Sequence, residues 1–189
     1  YRAMALHFIR RNIGAGDQAA IERAVQDADV SIRYEDGVQK VLLNGEDVSG
    51  LIRTEEVSMA ASHVSAHPSV RAFLLDAQRA LAKDNNVLMD GRDIGTVVLP
   101  GAQVKIFLTA SAGDRARRRY DELIARGEWV SYEQVLADVE RRDYNDTHRA
   151  AAPLRPAADA VTVDTTGFTF DDAFALLLST IRARLGQEG

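Results

Sequence analysis

The sequence predicts an α/β fold in which a parallel sheet has helices on both faces. In the second half, short apolar strands at 104–109 and 160–164 alternate with helices at about 112–126 and 132–148. Strands that are apolar along their whole length are typical of a sheet that is covered on both faces. We therefore expect ligands to bind beyond the carboxyl ends of these strands.

The first half predicts helices around a small antiparallel β meander. Alternating apolar and polar residues indicate two strands, and the dipeptides Asp36-Gly37 and Asn44-Gly45 offer the turns that follow them. Pro68 forces a break between two later helices. In chain order, the predicted elements are a helix over 1–11, a helix capped by Asp17, strands over 30–34 and 38–43, and helices over 55–66 and 70–81.

Two further elements complete the prediction. Val87–Met89 is a short apolar run that predicts a strand, and 171–185 predicts the last helix. We find no internal repeat, low-complexity segment or linker. The chain therefore predicts one domain over residues 1–189, with the meander as an insertion.

Composition excludes several classes of protein. With 46% apolar and 27% charged residues, the 189-residue chain predicts an ordinary globular protein. Its net charge of -5 opposes a general role in coating nucleic acid, which needs a basic surface. No stretch approaches the roughly 18 apolar residues of a membrane span, so we expect a soluble, cytoplasmic protein. The absence of cysteine excludes disulfides and thiol nucleophiles.

The first charged cluster follows the predicted strand at Val87–Met89. It contains Asp90, Arg92 and Asp93, with glycines that permit close approach of the backbone. This position is the expected ligand-binding edge of the sheet. A plain strand-end loop, in which Arg92 pairs with its neighbours, is the alternative.

Two more clusters are rich in arginine, whose planar fork suits phosphate and carboxylate. The RARRR run from Arg115 places much like charge on one short helix, which a bound polyphosphate or nearby carboxylates would neutralise. Arg142, Asp146 and Arg149 share a helix face at spacings of four and seven. For these two clusters, a solvated helix face and an intrahelical ion-pair ladder are the alternatives.

His63 and His67 have the spacing of a helical metal pair, but the sequence offers no third ligand. We therefore expect ordinary helix-end residues there and no protein metal site. There is also no Gly-x-Ser-x-Gly nucleophile elbow, so hydrolase chemistry has little support.

Four fragments together resemble the bacterial cytidylate kinases. They are DGRDIGTVVLP from Asp90, VKIFLTAS from Val104, RARRR from Arg115 and RDYNDTHRAAAPL from Arg142. The resemblance covers nearly the whole chain. It implies a P-loop kinase core, a monophosphate-binding insertion over residues 27–67 and a lid over residues 112–131. It also implies a monomer that transfers the γ-phosphoryl group of ATP, with Mg²⁺, to CMP or dCMP.

The same resemblance implies residues that bind the acceptor nucleotide. Tyr1 and Arg2 match the end of a family motif whose arginine meets the acceptor phosphate. Arg92 and Arg149 match further contacts to that phosphate, and Asp146 matches a residue that faces the sugar.

Other positions are implied to read the base or to act from the lid region. The positions that match cytosine recognition are Ser62, Arg71 and Asp93. A carboxylate suits the exocyclic amino group of cytosine, because that group donates a hydrogen bond where uracil presents an acceptor. The arginines expected to stabilise the transferred phosphoryl group are Arg118, Arg119 and Arg142.

The sequence departs from the family in one respect, because it has no P-loop. That motif requires Gly-x-x-x-x-Gly-Lys-Ser/Thr, and none of Lys40, Lys83 and Lys105 follows a glycine. In the family, the P-loop precedes the motif that ends at Tyr1-Arg2. We therefore expect a further strand, loop and half a helix before Tyr1, and no catalysis by this sequence alone. An intact mass near 20.7 kDa would contradict that expectation.

Three alternatives to a (d)CMP kinase stay open from the sequence. A kinase for UMP or another monophosphate would be distinguished by its rates on each substrate. A non-catalytic nucleotide-binding domain would fit the absence of a P-loop. A nucleic-acid-binding module built on the RARRR helix is opposed by the acidic total charge.

Overall fold

The computed structural model describes residues 1–186. The chain divides into two compact units, of which the first is Tyr1–Val87 and the second begins at Leu88. The single domain over 1–189, the insertion over 27–67 and the lid over 112–131 stay predictions.

The first unit contains four α-helices, one short 3₁₀ helix and an antiparallel sheet. In chain order, its elements are α1 (Arg2–Arg10), α2 (Gln18–Gln26), β1 (Val30–Glu35), β2 (Val38–Leu43), β3 (Glu46–Asp47), a short 3₁₀ helix (Leu51–Arg53), α3 (Glu55–Val64) and α4 (Pro68–Asp84). The strands pair in the order β1-β2-β3, with Ile32 opposite Val41. This confirms the predicted meander and both of its turns. Asp36 and Gly37 both have positive φ, as a tight hairpin turn requires.

One hydrophobic core holds the first unit together. Met4 of α1, Ile21 of α2, Val48 after β3 and Val70 of α4 are fully buried. Burying each of these side chains contributes roughly 1.5–3 kcal/mol. The meander therefore belongs to the same core as the helices.

The Asp17 carboxylate accepts from the Ala20 amide at 2.9 Å, which confirms the predicted cap of α2.

The second unit combines a parallel strand pair with three α-helices. In chain order, its elements are a π-helix (Ile94–Val98), β4 (Ile106–Thr109), α5 (Ala112–Ala125), α6 (Tyr132–His148), β5 (Val161–Asp164) and α7 (Phe170–Arg184). The strands β4 and β5 are parallel, with Ile106 opposite Val161 and Thr109 opposite Asp164. This confirms the predicted parallel α/β class.

Helices α5 and α6 pack on each other through a small apolar core. Ala116 and Leu123 of α5 and Val135 of α6 are buried in it. The guanidinium of Arg117 lies 4.4 Å from the ring centre of Tyr132, a distance at which the aromatic face attracts the cation. One arginine of the RARRR run is therefore occupied by packing between the helices.

The predicted strand at Val87–Met89 is wrong, because this segment has no regular structure. A strand needs a neighbour to accept its backbone hydrogen bonds, and no segment among residues 1–186 pairs with this one. The Leu88 side chain is accordingly 94% exposed.

Over residues 1–186, no helix is both long and apolar enough to cross a membrane.

Candidate functional site

The loop after Val87–Met89 leads into the π-helix and buries one carboxylate. Asp93 is only 5% exposed and stands directly before the π-helix Ile94–Val98. Its carbonyl oxygen accepts from the amides of Val97 and Val98, at 2.9 and 3.2 Å. Single π-turns are rare and occur frequently at functional sites. The local backbone thus fixes the position of a buried acidic residue.

Gly91 lets this loop fold tightly onto the π-helix. A Cβ atom at Gly91 would lie 2.9 Å from Cγ1 of Ile94 and 3.1 Å from its Cδ1. The first distance is shorter than real Cβ contacts and the second is shorter than most of them, so a side chain would push Ile94 away. The glycine is therefore needed for close approach next to Arg92.

Arg92 and Asp146 form an ion pair between the loop before the π-helix and α6. The Nε atom of Arg92 donates to Oδ2 of Asp146 over 2.7 Å. The Asp146 side chain is 10% exposed and that of Arg92 is 50% exposed. A carboxylate in α6 therefore fixes one side of a guanidinium whose remainder is open to solvent.

The chain after α6 returns to Asp146 through a strained turn. Nε of Arg149 donates to the carbonyl of Ala152 at 2.9 Å, and the amide of Leu154 donates to the carbonyl of Asp146 at 2.7 Å. Ala152 has φ of 48°, a left-handed conformation that costs a non-glycine residue about 1–2 kcal/mol. Strained residues of this kind cluster at functional sites. This turn holds Arg149 next to Asp146.

Arg118 and Arg119 of α5 have partners within the second unit. Nη2 of Arg118 donates to Oδ2 of Asp114 at 2.8 Å and to the carbonyl of Thr165 at 2.7 Å. Asp114 also accepts from the Gly167 amide at 3.0 Å, so this corner joins α5 to the loop after β5. Arg119 lies 3.4 Å from Glu122, a weak exposed pair one turn away.

The predicted site residues of the first unit lie around α1, α3 and α4. Nη1 of Arg2 donates to the carbonyl of Ile52 at 3.1 Å. The guanidinium of Arg71 lies 5.9 Å from the ring centre of Tyr1, and its Nη1 donates to the carbonyl of Ser65 at 3.1 Å. The hydroxyl of Ser65 donates to the carbonyl of Ser62 at 2.8 Å. Arg71 and Ser62 are thus linked through one short segment.

Comparison with known proteins decides the family. A family model described as cytidylate kinase matches residues 1–183. The chain belongs to the cytidylate kinase family. It is 50% identical over 181 residues to the cytidylate kinase of Carboxydothermus hydrogenoformans, a match that covers 96% of this chain and 82% of that protein.

Other cytidylate kinases give similar matches. Identity is 44% over 185 residues to the cytidylate kinase of Pasteurella multocida, covering 98% of this chain and 82% of that protein. It is 46% over 178 residues to that of Caldicellulosiruptor bescii, covering 94% of this chain and 79% of that protein.

The structure groups the residues that the cytidylate kinase resemblance implies in two sets. Arg92, Asp146 and Arg149 are joined by hydrogen bonds through one helix and its following turn. Arg142 is half-buried on α6, one turn before Asp146. The other set, in the first unit, comprises Tyr1, Arg2, Ser62 and Arg71. Arg118 and Arg119 lie on α5, and Arg118 contacts the loop after β5 rather than any of these residues. The roles of all these residues stay predictions.

Sequence reasoning on this cytidylate kinase chain also missed an ion pair between α5 and α6. Nη1 and Nη2 of Arg115 donate to Oδ1 and Oδ2 of Asp143, at 2.9 and 2.5 Å. Donating these hydrogen bonds to the Asp143 carboxylate raises the pKa of Arg115. Both residues were visible in charged clusters, but only their contact between two helices distinguishes them from their neighbours.

The two spaced histidines have partners in the protein backbone. The His63 Nδ1 atom lies 3.1 Å from the carbonyl of Met59, and the His67 Nε2 atom lies 2.9 Å from that of Ala15. Over residues 1–186, no group of three or more metal-ligating side chains is placed to hold an ion. One cavity of about 210 Å³ in the first unit contains none of the predicted site residues.

Proposed function

We propose that this protein, with the P-loop segment expected before Tyr1, transfers the γ-phosphoryl group of ATP to CMP or dCMP, which yields CDP or dCDP in pyrimidine nucleotide metabolism. The observation that carries the proposal is the bond from Arg92 to the buried Asp146 in a member of the cytidylate kinase family. This bond uses Nε and leaves both Nη groups of Arg92 able to donate. Such a held, half-exposed fork suits the phosphate of an acceptor nucleotide.

Arg149 is the second proposed contact to the acceptor phosphate. It follows α6 directly, and its Nε bond to Ala152 stabilises the turn that returns to Asp146. Asp146 is proposed to contact the sugar of the nucleotide in addition to holding Arg92. Tyr1 and Arg2 of the first unit are proposed to contact an acceptor nucleotide, and Arg2 is already oriented by the carbonyl of Ile52.

Base selection is proposed to depend on Asp93, Arg71 and Ser62. A buried carboxylate such as that of Asp93 can accept from the cytosine amino group. Uracil would set a carbonyl oxygen against it. Each polar group left without a partner in this way costs on the order of 1–3 kcal/mol. This difference is large enough to select CMP and dCMP over UMP.

Phosphoryl transfer needs positioning and charge stabilisation more than a dedicated base. Arg118, Arg119 and Arg142 are proposed to stabilise the transferring group, with residues 112–131 as a lid that excludes water. Arg118 would then have to leave the Thr165 carbonyl that it contacts in this structure.

ATP and Mg²⁺ are the proposed co-substrate and metal. Mg²⁺ is usually bound by one or two carboxylates together with substrate phosphates. Asp90, an exposed carboxylate in the loop before the π-helix, fits this mode. When bound, the ion would neutralise charge on the nucleotide phosphates. Asp90 lies two residues before Arg92 and, unlike Asp93, is exposed.

A coupled ADP-release assay on the full-length protein tests the proposal. CMP, dCMP, UMP and AMP are compared as acceptors at equal concentration, each with ATP and Mg²⁺. We expect turnover with CMP and dCMP to exceed that with UMP and AMP by at least tenfold. Equal use of UMP and CMP would contradict the cytosine assignments. Absence of turnover with every acceptor, despite nucleotide binding by calorimetry, would favour a non-catalytic binding domain.

We further propose that the protein acts as a monomer in the cytoplasm. Size-exclusion chromatography with light scattering tests the oligomeric state. A mass of twice the chain at micromolar concentration would contradict it.

A further inference from the structure

Arg115 connects three parts of the second unit. Its Nε atom donates to the carbonyl of Ala110, directly after β4, at 3.0 Å. Its two Nη atoms hold both carboxylate oxygens of Asp143 in α6. A fork that binds two oxygens of one carboxylate fixes orientation as well as distance. Arg115 therefore ties the end of a strand to one position along α6.

That position in α6 lies next to the proposed acceptor-phosphate residues. Asp143 stands one residue after Arg142 and three residues before Asp146. Residues three apart on a helix are neighbours on its surface. A shift of α6 along its axis or about it would therefore move Asp146 away from Arg92, whose Nε it contacts at 2.7 Å.

We propose that Arg115 and Asp143 form a positioning pair that sets the register of α6, so that Asp146 can hold Arg92 for the acceptor phosphate. The pair acts through Asp146 and does not itself touch the nucleotide. This inference rests on the proposed function for its kinetic consequence, but its structural consequence can be measured without activity.

Another ion pair on the same helix provides a matched control. Arg141 and Asp138 approach to 2.7 Å within α6 itself, with side chains 56% and 48% exposed. The Arg115 and Asp143 side chains are similarly half-exposed, at 37% and 39%. Both pairs join arginine to aspartate, but only the Arg115 pair joins α6 to another element. Arg141→Gln therefore removes a similar charge contact without releasing the helix.

The structural test follows the Nε–H signal of Arg92 by ¹⁵N NMR in the full-length protein. Its absence from the Arg92→Lys spectrum assigns it. We expect slow solvent exchange of this proton in the wild type and in Arg141→Gln. In Arg115→Met and in Asp143→Asn, we expect at least tenfold faster exchange, because Asp146 no longer meets Arg92. An unchanged exchange rate in both folded variants would overturn the inference.

The kinetic test separates positioning from a loss of folded protein. We expect Arg115→Met and Asp143→Asn each to raise the KM for CMP at least fivefold and to leave the KM for ATP unchanged. The double variant should be no worse than either single variant, since both remove one contact. A purely structural pair would lower Tm and the active fraction with both KM values unchanged, which would overturn the inference. If the wild type does not phosphorylate CMP, the proposed function fails, and the NMR comparison still decides the positioning role.

Discussion

The Nε atom of Arg92 donates to Oδ2 of Asp146 over 2.7 Å, across 54 positions of sequence. One partner lies in the loop before the π-helix and the other on α6, so the bond links two charged clusters that the sequence shows separately. Asp146 is nearly buried while Arg92 is half-exposed. The carboxylate is therefore the fixed partner, and the rest of the guanidinium is open to solvent.

Replacing Asp146 should impair use of the acceptor. A hydrogen bond to a charged group contributes on the order of 1.5–3 kcal/mol, which corresponds to roughly 10- to 100-fold in rate or affinity. We expect Asp146→Ala to lower kcat/KM for CMP by this factor, measured by steady-state kinetics. Asp138→Ala removes a half-exposed carboxylate from the same helix and should leave kcat/KM within twofold of wild type. Equal losses in the two variants would contradict a specific role for Asp146.

Asp93 and Arg149 should give different kinetic signatures. We expect Asp93→Ala to reduce the ratio of kcat/KM for CMP to that for UMP about tenfold, because an unpartnered polar group costs on the order of 1–3 kcal/mol. Arg149→Ala should lower turnover for every base and leave that ratio unchanged. The measurement is kcat/KM for both nucleotides in both variants. A preserved CMP preference in Asp93→Ala would show that another residue reads the base.

Hydrophobic periodicity and turn residues were sufficient to predict most of the fold. The helix at Tyr132–His148, the strand at Val38–Leu43 and the cap at Asp17 all follow from local patterns. Local patterns failed at Val87–Met89, where a strand also needs a partner in space. The π-helix that follows is a single turn, which is too short to show helical periodicity in the sequence.

The sequence predicted which residues belong to the candidate site, but not which of them contact each other. The i, i+4, i+7 spacing correctly places Arg142 and Asp146 one turn apart on α6, but α6 ends at His148 and Arg149 is its extended C-cap, so Arg149 does not continue that helix face. Helical spacing alone favours intrahelical pairs, whereas Asp146 pairs with Arg92 and Asp143 pairs with Arg115 from other elements. Such contacts depend on how the elements pack, which no spacing rule contains.

Ala152 offers a test of strain next to Arg149. Its φ of 48° lies in the left-handed region, where a side chain costs about 1–2 kcal/mol and glycine costs little. We expect Ala152→Val to lower the free energy of unfolding by at least about 1 kcal/mol, because a β-branched residue is poorly tolerated at positive φ. Ala152→Gly should equal or exceed wild-type stability. Urea unfolding measures both, with Ala150→Val as the control at an exposed position without positive φ.

His7 predicts a specific loss of stability in acid. It is 4% exposed in α1, and its Nε2 atom lies 3.0 Å from the carbonyl of Ala24. Burial lowers its pKa from the ordinary value of 6.5, as does nearby Arg11, while the Ala24 contact and Asp27 oppose that shift. Since the folded state binds this proton less readily than the unfolded state, the stabilising contribution is complete above pH 6.5 and declines as the pH falls below it.

We therefore expect the free energy of unfolding to fall more steeply between pH 7 and pH 5 in the wild type than in His7→Gln. Glutamine can still donate to the Ala24 carbonyl but does not titrate, so the comparison isolates the charge on His7. Urea unfolding at several pH values measures both slopes. His63→Gln provides the control, because it makes the same substitution at an exposed residue near the end of α3. Equal slopes in the wild type and His7→Gln would mean that His7 protonates as readily in the folded state as in the unfolded chain.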